Sequence, residues 1–346
     1  MVDKDFCMSS FLVFRYIIDD NKDFYPGLKH RTYSLIPDKK RIMVRNAHDI
    51  DEEIQKQFDA IKGKKLGLLL SGGMDSGCLA PYMPGQDAYT FRFLGGNYQQ
   101  DELKRAQYFA DKWGLKLHYV DIYWSVVEQN VDQLMKHKAA PLHSIEPQIA
   151  QAALQAKSDG VELLIIGDAA DGVFGGMDGL LSKDWRYSEF KSRYTYLRPE
   201  EVLNRSIDMD AAFEKYRLPG EMIDYISFMN EYDDIESYAS YENAISTVGM
   251  KYIDPYEILK MAEPLDLYRI RHGESKYLMR DLFRMKYPEI PVPEKLPMPR
   301  PVDAYFSNWK GPLRPEFKQN LDISQFTGNQ KWQLWCLERF LNNNER

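Results

Sequence analysis

The sequence predicts an α/β protein, a parallel sheet with helices on both faces, followed by a mainly helical C-terminal region. Two observations carry that expectation. Short apolar runs alternate with amphipathic stretches between residues 61 and 166, the pattern of successive βαβ units. A glycine-rich turn directly follows the first of those runs, where parallel strands end on a common rim.

Taken in order, residues 11–18 (Phe-Leu-Val-Phe-Arg-Tyr-Ile-Ile) are aromatic and β-branched and read as a strand. Turn signals follow at Asp19-Asp20-Asn21 and Pro26-Gly27. A helix over 50–61 places Ile54, Phe58 and Ile61 at helical spacing. Residues 66–70 (Leu-Gly-Leu-Leu-Leu) form an apolar run suited to a strand buried on both faces. Further strands are expected at 89–94, 115–122 and 161–166, with helices at 101–113, 125–136 and 145–157. Beyond residue 181 no strand is expected; 202–204, 222–229, 235–248, 276–285 and 331–341 read as helices. Residues 288–301 hold six prolines and must run as an extended loop. Three regions result: an N-terminal arm at 1–60, an α/β core at 61–181, and a helical region at 182–346 that completes the substrate side.

Composition narrows the function classes. With 346 residues, 44% hydrophobic and 28% charged, the chain resembles an ordinary globular protein. No apolar run approaches the roughly 18 residues of a membrane span, and Asp3 and Asp5 stand where a signal peptide needs positive charge. A cytoplasmic protein without a membrane partner is expected. The net charge of −7 weighs against a nucleic acid as main partner. Cys7, Cys78 and Cys336 lie far apart with no CxxC pair, against a disulfide framework or a zinc site.

Ser71-Gly-Gly-Met-Asp-Ser76 closes the 66–70 run. Gly72 and Gly73 let the backbone turn sharply and bring N–H groups to a phosphate. Ser71 and Ser76 add hydroxyl donors, and the following helix start favours an anion. Asp75 beside phosphates calls for a bridging cation and reads as a Mg²⁺ ligand. The Walker pattern GxxxxGK[ST] is absent.

The complete SGGxDS motif resembles that of the PP-loop ATP-pyrophosphatases, which have the adenine nucleotide alpha hydrolase-like fold, bind the pyrophosphate end of ATP and transfer AMP. Ile165-Ile-Gly-Asp-Ala-Ala-Asp-Gly-Val-Phe-Gly-Gly176 closely resembles the SGEGSDE-x-FGG stretch of the asparagine synthetase family. That resemblance implies ATP and Mg²⁺ as cofactors, with Asp171 as the second metal carboxylate. It places Asp168 at the family glutamate near the acyl-adenylate and amine, and Gly172 where another glutamate stands. Lys295-Leu-Pro-Met-Pro-Arg-Pro301 followed by Trp309 is similar to the K-x-G-F-x-x-P…W segment, making Lys295 the lysine that stabilises charge during adenylation. Pro297 and Met298 depart from the usual Gly-Phe. Lys276-Tyr-Leu-Met-Arg280 resembles a helix that supports the site, and Asp101-Glu102-x-x-x-Ala106 the start of the helix after the second strand. Leu70, Phe93, Ile166 and Gly167 fall where family members hold the adenosine, largely by backbone.

Glutamine-dependent members expose a catalytic cysteine as residue one of a longer glutaminase domain. Cys7 is internal to the short 1–60 arm and should not hydrolyse glutamine. The expected reaction couples a small-molecule carboxylate to ammonia, from a separate glutaminase or free, or to a primary amine. The aromatic and basic stretch containing Lys183, Trp185, Arg186, Tyr187 and Arg193 inclines the expectation towards a sugar acid, nucleotide sugar or other specialised substrate. The rival readings are a tRNA-modifying PP-loop enzyme, which would call for catalytic cysteines or a basic extension, and a catalytically silent scaffold.

Overall fold

The computed structural model describes residues 1–94, 100–294 and 300–345. It begins with helix α1 (Lys4–Phe14), not with the strand expected over 11–18. Asp3 caps the helix by accepting from the Phe6 amide at 3.1 Å, and Arg15 ends it with a left-handed φ of 67°. Every residue from Cys7 to Phe14 is buried. A helix apolar all round shows no amphipathic period, so its aromatic and β-branched content imitates a strand.

The chain then forms β1 (Ile42–Val44) and α2 (Ala47–Ala60), followed by β2 (Leu66–Leu69), α3 (Met74–Leu79) and β3 (Asp87–Phe93). Next come α4 (Gln100–Trp113), β4 (Lys116–Ile122), α5 (Trp124–Lys138) and α6 (Glu146–Ser158). The first half closes with β5 (Leu163–Ile165) and α7 (Ala170–Phe174). After several short helices, the long α8 (Tyr225–Thr247) merges the two helices expected over 222–229 and 235–248. Asp224 caps it, accepting from the Ser227 amide at 3.1 Å. The polar run at its centre, Asn230-Glu-Tyr-Asp-Asp234, looks like a break in sequence but stays helical with Asp233 buried.

The C-terminal half also contains strands, contrary to expectation. β6 (Tyr252–Ile253) adds a fifth parallel strand to the main sheet, whose order is β4-β3-β2-β5-β6. β7 (Leu259–Met261) pairs in parallel with β1, joining the N-terminal arm to the later part of the chain. Two- and three-residue strands are too short to show a period, which is why they are invisible in the sequence. α9 (Tyr277–Lys286) and α10 (Gly328–Asn344) follow, the latter opened by a Thr327–Gln330 capping box.

Alternating side chains of the sheet enter two cores. Leu66, Leu68 and Ile165 pack with Ile50, Phe58, Phe109 and Phe283 from α2, α4 and α9. Leu69, Leu164 and Ile166 pack with Phe11, Val131, Ile149 and Leu337 from α1, α5, α6 and α10. Each fully buried Leu or Ile contributes about 1.5–3 kcal/mol, so both faces must be covered and the strands read as unbroken apolar runs. All main-sheet strands being parallel, their C-terminal ends share one rim.

Candidate active site

β2 and β5 are neighbours in the sheet, with Leu68 opposite Ile165, so the loops leaving them emerge side by side. They line one wall of a cleft of about 1140 Å³ at the C-terminal rim.

The loop after β2 is shaped by contacts of its own. Gly72 has φ +80°, and a Cβ on it would run into the Glu102 carbonyl of α4. Arg105 donates to the Gly72 carbonyl at 2.9 Å. The Ser71 amide donates to Ser76 Oγ at 3.2 Å, the Gly73 amide donates to Ser71 Oγ at 3.2 Å, and the two hydroxyls lie 3.1 Å apart. From the other side, Tyr256 donates to the Asp75 carbonyl at 2.8 Å and Tyr287 to the Gly77 carbonyl at 2.7 Å.

The loop after β5 is held from a distance. Asp254, just beyond β6, accepts from the Ala169 amide at 2.7 Å and from the Tyr256 amide at 3.0 Å. The two loops meet at Lys276. Its ammonium lies 2.6 Å from Asp75 Oδ2 and 2.7 Å from Asp171 Oδ1, on a residue only 4% exposed. Burial opposes that charge, but the two carboxylates outweigh it and hold the lysine above its ordinary value. Lys276 has φ +50°, an unfavourable conformation for a side-chain-bearing residue, at the N-cap of α9. A Cβ on Gly176 would strike both Asp171 and the Lys276 stem, so only glycine fits there.

Asp168 faces the same cleft. Its Oδ2 is buried with no hydrogen-bond partner among the described residues. Burial, joined by the like charges of Asp171, Glu236 and Asp75 and opposed by a hydrogen bond from Ser237, pushes the carboxyl up to about 7. Glu102, also in the cleft wall, is pushed up to about 7 by burial, with Arg105 opposing.

Of the sequence candidates, Leu70, Ser71, Gly73, Asp75 and Ser76 line the cleft from the first loop. Ile166, Gly167, Asp168 and Asp171 line it from the second. Gly72 instead turns against α4. Phe93 is buried at the end of β3, while Tyr89 and Phe91 of that strand reach the cleft. Lys295 lies outside the described residues. The aromatic and basic stretch packs rather than facing the cleft: Trp185 and Tyr187 are buried, Lys183 pairs with Glu189 at 2.7 Å, and Lys191 pairs with Asp210.

Sequence reasoning placed Lys276 and Arg280 only in a supporting helix, whereas both line the cleft itself. Their spacing of four, which stacks two cations on one helix face, was the available signal. Asp254 and Tyr256 carried no local signal, since their partners lie in distant parts of the chain.

Mg²⁺ prefers oxygen ligands and is commonly held by one or two carboxylates together with water and substrate phosphates. Asp75 and Asp171, converging on the Lys276 ammonium, fit that donor set. Among the described residues no three His, Cys, Asp or Glu side chains gather as a metal cage. Cys7, Cys78 and Cys336 are all free and buried, and burial pushes the Cys7 thiol up to about 12. Among the described residues no helix is long and apolar enough to cross a membrane.

A parallel sheet whose strand ends carry a glycine loop and a facing acidic loop defines a fold of the PP-loop kind. The chain belongs to the asparagine synthase family, whose sequence model matches residues 54–298. That membership makes it an ATP-using enzyme of the ligase type. No curated protein matches it. Among solved structures, it is similar to the U34-tRNA thiolase NcsA from Methanococcus maripaludis, with its [4Fe-4S] cluster (13% identity, 86% of this chain and 80% of that one, TM-score 0.30). It is also similar to the NMN synthetase from Francisella tularensis (11% identity, 73% and 96%, TM-score 0.27). A third is the glutamine-dependent NAD+ synthetase from Acinetobacter baumannii in complex with ADP (14% identity, 76% and 48%, TM-score 0.28). Likeness at these TM-scores carries no weight for activity, and membership rests on the sequence model.

Proposed function

We propose that this protein is an AMP-forming ligase that adenylates a small-molecule carboxylate and passes the acyl group to ammonia or a primary amine. The observation that carries the reading is the Lys276 ammonium held between Asp75 and Asp171, which ties the phosphate-side loop to the acidic loop. In the first step a carboxylate oxygen of the substrate attacks the α-phosphorus of ATP, and the bond to the bridging oxygen breaks to release pyrophosphate. Ser71, Gly73, Met74, Asp75, Ser76 and Lys276 line the cleft, and in this reading their amides, hydroxyls and ammonium would receive the negative charge that grows on pyrophosphate. The family resemblance assigns Lys295 to the same step. Mg²⁺, held by Asp75 and Asp171, would neutralise phosphate charge there.

In the second step the amine nitrogen attacks the acyl carbon, the acyl–oxygen bond to AMP breaks, and one proton leaves the nitrogen. Asp168, with a buried oxygen that has no hydrogen-bond partner among the described residues and a carboxyl pushed up to about 7, would orient the amine or take that proton. Nitrogen would come from free ammonia, a separate glutaminase or a larger amine. The buried Cys7 thiol, pushed up to about 12, supports a reading in which this arm does not hydrolyse glutamine.

The test is carboxylate-dependent exchange of labelled pyrophosphate into ATP across a panel of amino acids, uronic acids and nucleotide sugars. At least one acid should support exchange, and full turnover with an amine should yield AMP and pyrophosphate. ADP and phosphate as the products would end this reading.

A further inference from the structure

A second, smaller cavity shares Asp171 with the main cleft and none of its other lining residues. Its apolar lining comes from Met177, Leu181, Ile226, Met229 and Leu265. Its polar lining comes from consecutive residues of α8, Asp233 and Asp234, with Asn230 one turn earlier.

The two aspartates stand differently. Asp233 is 8% exposed, and its Oδ2 has no hydrogen-bond partner among the described residues. Burial of Asp233 outweighs the Arg15 guanidinium, ion-paired at 3.2 Å with Glu236, and a hydrogen bond from Tyr194, which both favour its charged form. Asp234 lies directly on the backbone of Gly172, so that a Cβ at 172 would run into its carboxylate. Gly172 sits within α7 without a positive φ, so glycine is needed there for space and not for backbone freedom. Residue 172 thus gives up its side chain, and the carboxylate of Asp234 occupies the room.

Burying carboxylates against apolar walls is costly unless a cation joins them. Burial raises both carboxyls, Asp233 to about 6 and Asp234 to about 7, which fits a site whose cation arrives with a ligand. About half of the lining is hydrocarbon and about half polar, so the cavity offers a cation both charge and carbon contact. An organic cation suits both features, its charge meeting the carboxylates and its carbons the apolar wall.

We propose that this cavity receives the alkylammonium group of a substrate, its nitrogen at Asp233 and Asp234 and its short carbon chain against Met229 and Leu265. The assignment rests on the reading above that the Asp171 loop borders the reacting centre. The ammonium belongs either to the acceptor amine or to the amino group of the acid.

Titration of the full-length protein with n-butylammonium chloride, followed by calorimetry, tests the site without needing turnover. Sodium butyrate and butan-1-ol serve as controls for charge and shape. The wild type should bind butylammonium and neither control. Asp233→Asn and Asp234→Asn should each weaken binding by about tenfold or more, the loss of one hydrogen bond to a charged group. Gly172→Ala keeps both carboxylates but displaces Asp234, and should weaken binding comparably while leaving the cavity's charge unchanged. Equal binding of butanol, or unchanged affinity in all three variants, would overturn the proposal. Should butylammonium bind as described while no acid supports pyrophosphate exchange, the adenylation reading fails and the cation site stands. Where exchange occurs, competition with amino acids during exchange identifies the acid's amino group as the occupant. Competition only during amide formation identifies the acceptor amine.

Discussion

The loop carrying Asp75 and the loop carrying Asp171 end on the same rim, one strand apart, yet they are built differently. Ser71, Gly73 and Ser76 bond to one another within six residues, and Gly72 takes the φ the turn requires. The Asp171 loop adds to its own backbone bonds, Val173 to Ala169 at 3.0 Å and Gly176 to Asp171 at 2.7 Å, contacts from far along the chain. Its amide at Ala169 is held by Asp254, its Gly172 is roofed by Asp234, and its Gly176 is closed by Lys276. A phosphate is the same in every nucleotide, so a self-contained motif can serve it. The Asp171 loop, which on the proposed function faces the variable substrates, takes part of its shape from the C-terminal half, and there the sequence departs from the family pattern.

The sharpest way to break the comparison is to cut the contact that joins the loops. Lys276→Met leaves Asp75 and Asp171 facing each other without their cation. Pyrophosphate exchange should fall by roughly 10²–10³, the usual consequence of removing one charge-stabilising group from a transition state. Lys276→Arg should recover only part of it, because the planar guanidinium cannot occupy a point between two carboxylates in the same way. Near-normal exchange in Lys276→Met would show that the two loops act independently.

The next largest effect belongs to the self-contained loop. Gly72→Ala forces a side chain into a left-handed conformation, costing about 1–2 kcal/mol, and drives its Cβ at the Glu102 carbonyl. Thermal denaturation should show a clear loss of stability, and ATP affinity should fall with it. An unchanged melting temperature would mean the turn is not locked by α4.

The smallest effect is a pH dependence at the cleft wall. The Glu102 carboxyl is raised to about 7 in the folded state, above its ordinary value of 4.5. Its ionisation therefore costs stability: the penalty is absent below pH 4.5, grows as pH rises towards 7 and is complete above it. Glu102→Gln should accordingly raise stability at pH 8 by roughly 1–3 kcal/mol, solvent at the cleft reducing the full linkage value, and leave it unchanged at pH 4. Denaturant titrations at the two pH values check the sign, and a larger gain at pH 4 would refute it.

How much was legible follows the same division. The strands at β2, β3, β4 and β5 and the helices between them were visible because each is long enough or apolar enough to show its period. α1 was misread as a strand, since a helix buried on every side has no polar face to reveal its turn. β6 and β7 were missed because a few residues carry no period, and α8 was split because its polar run, with Asp233 buried, looks in sequence like a solvated break.

The sequence by itself determined the first loop, the parallel core and the presence of a second acidic loop on the same rim, because each depends on neighbours within a few residues or on apolar burial. Tertiary structure alone decided that Lys276 is the cation between Asp75 and Asp171, that Asp254 pins the second loop, and that Asp234 fills the room left by Gly172. The physical reason is range. A turn or a helix cap is an agreement between residues a few positions apart, whereas a buried ion pair joins residues 201 positions apart in the chain, and nothing in the local pattern of either partner records the other.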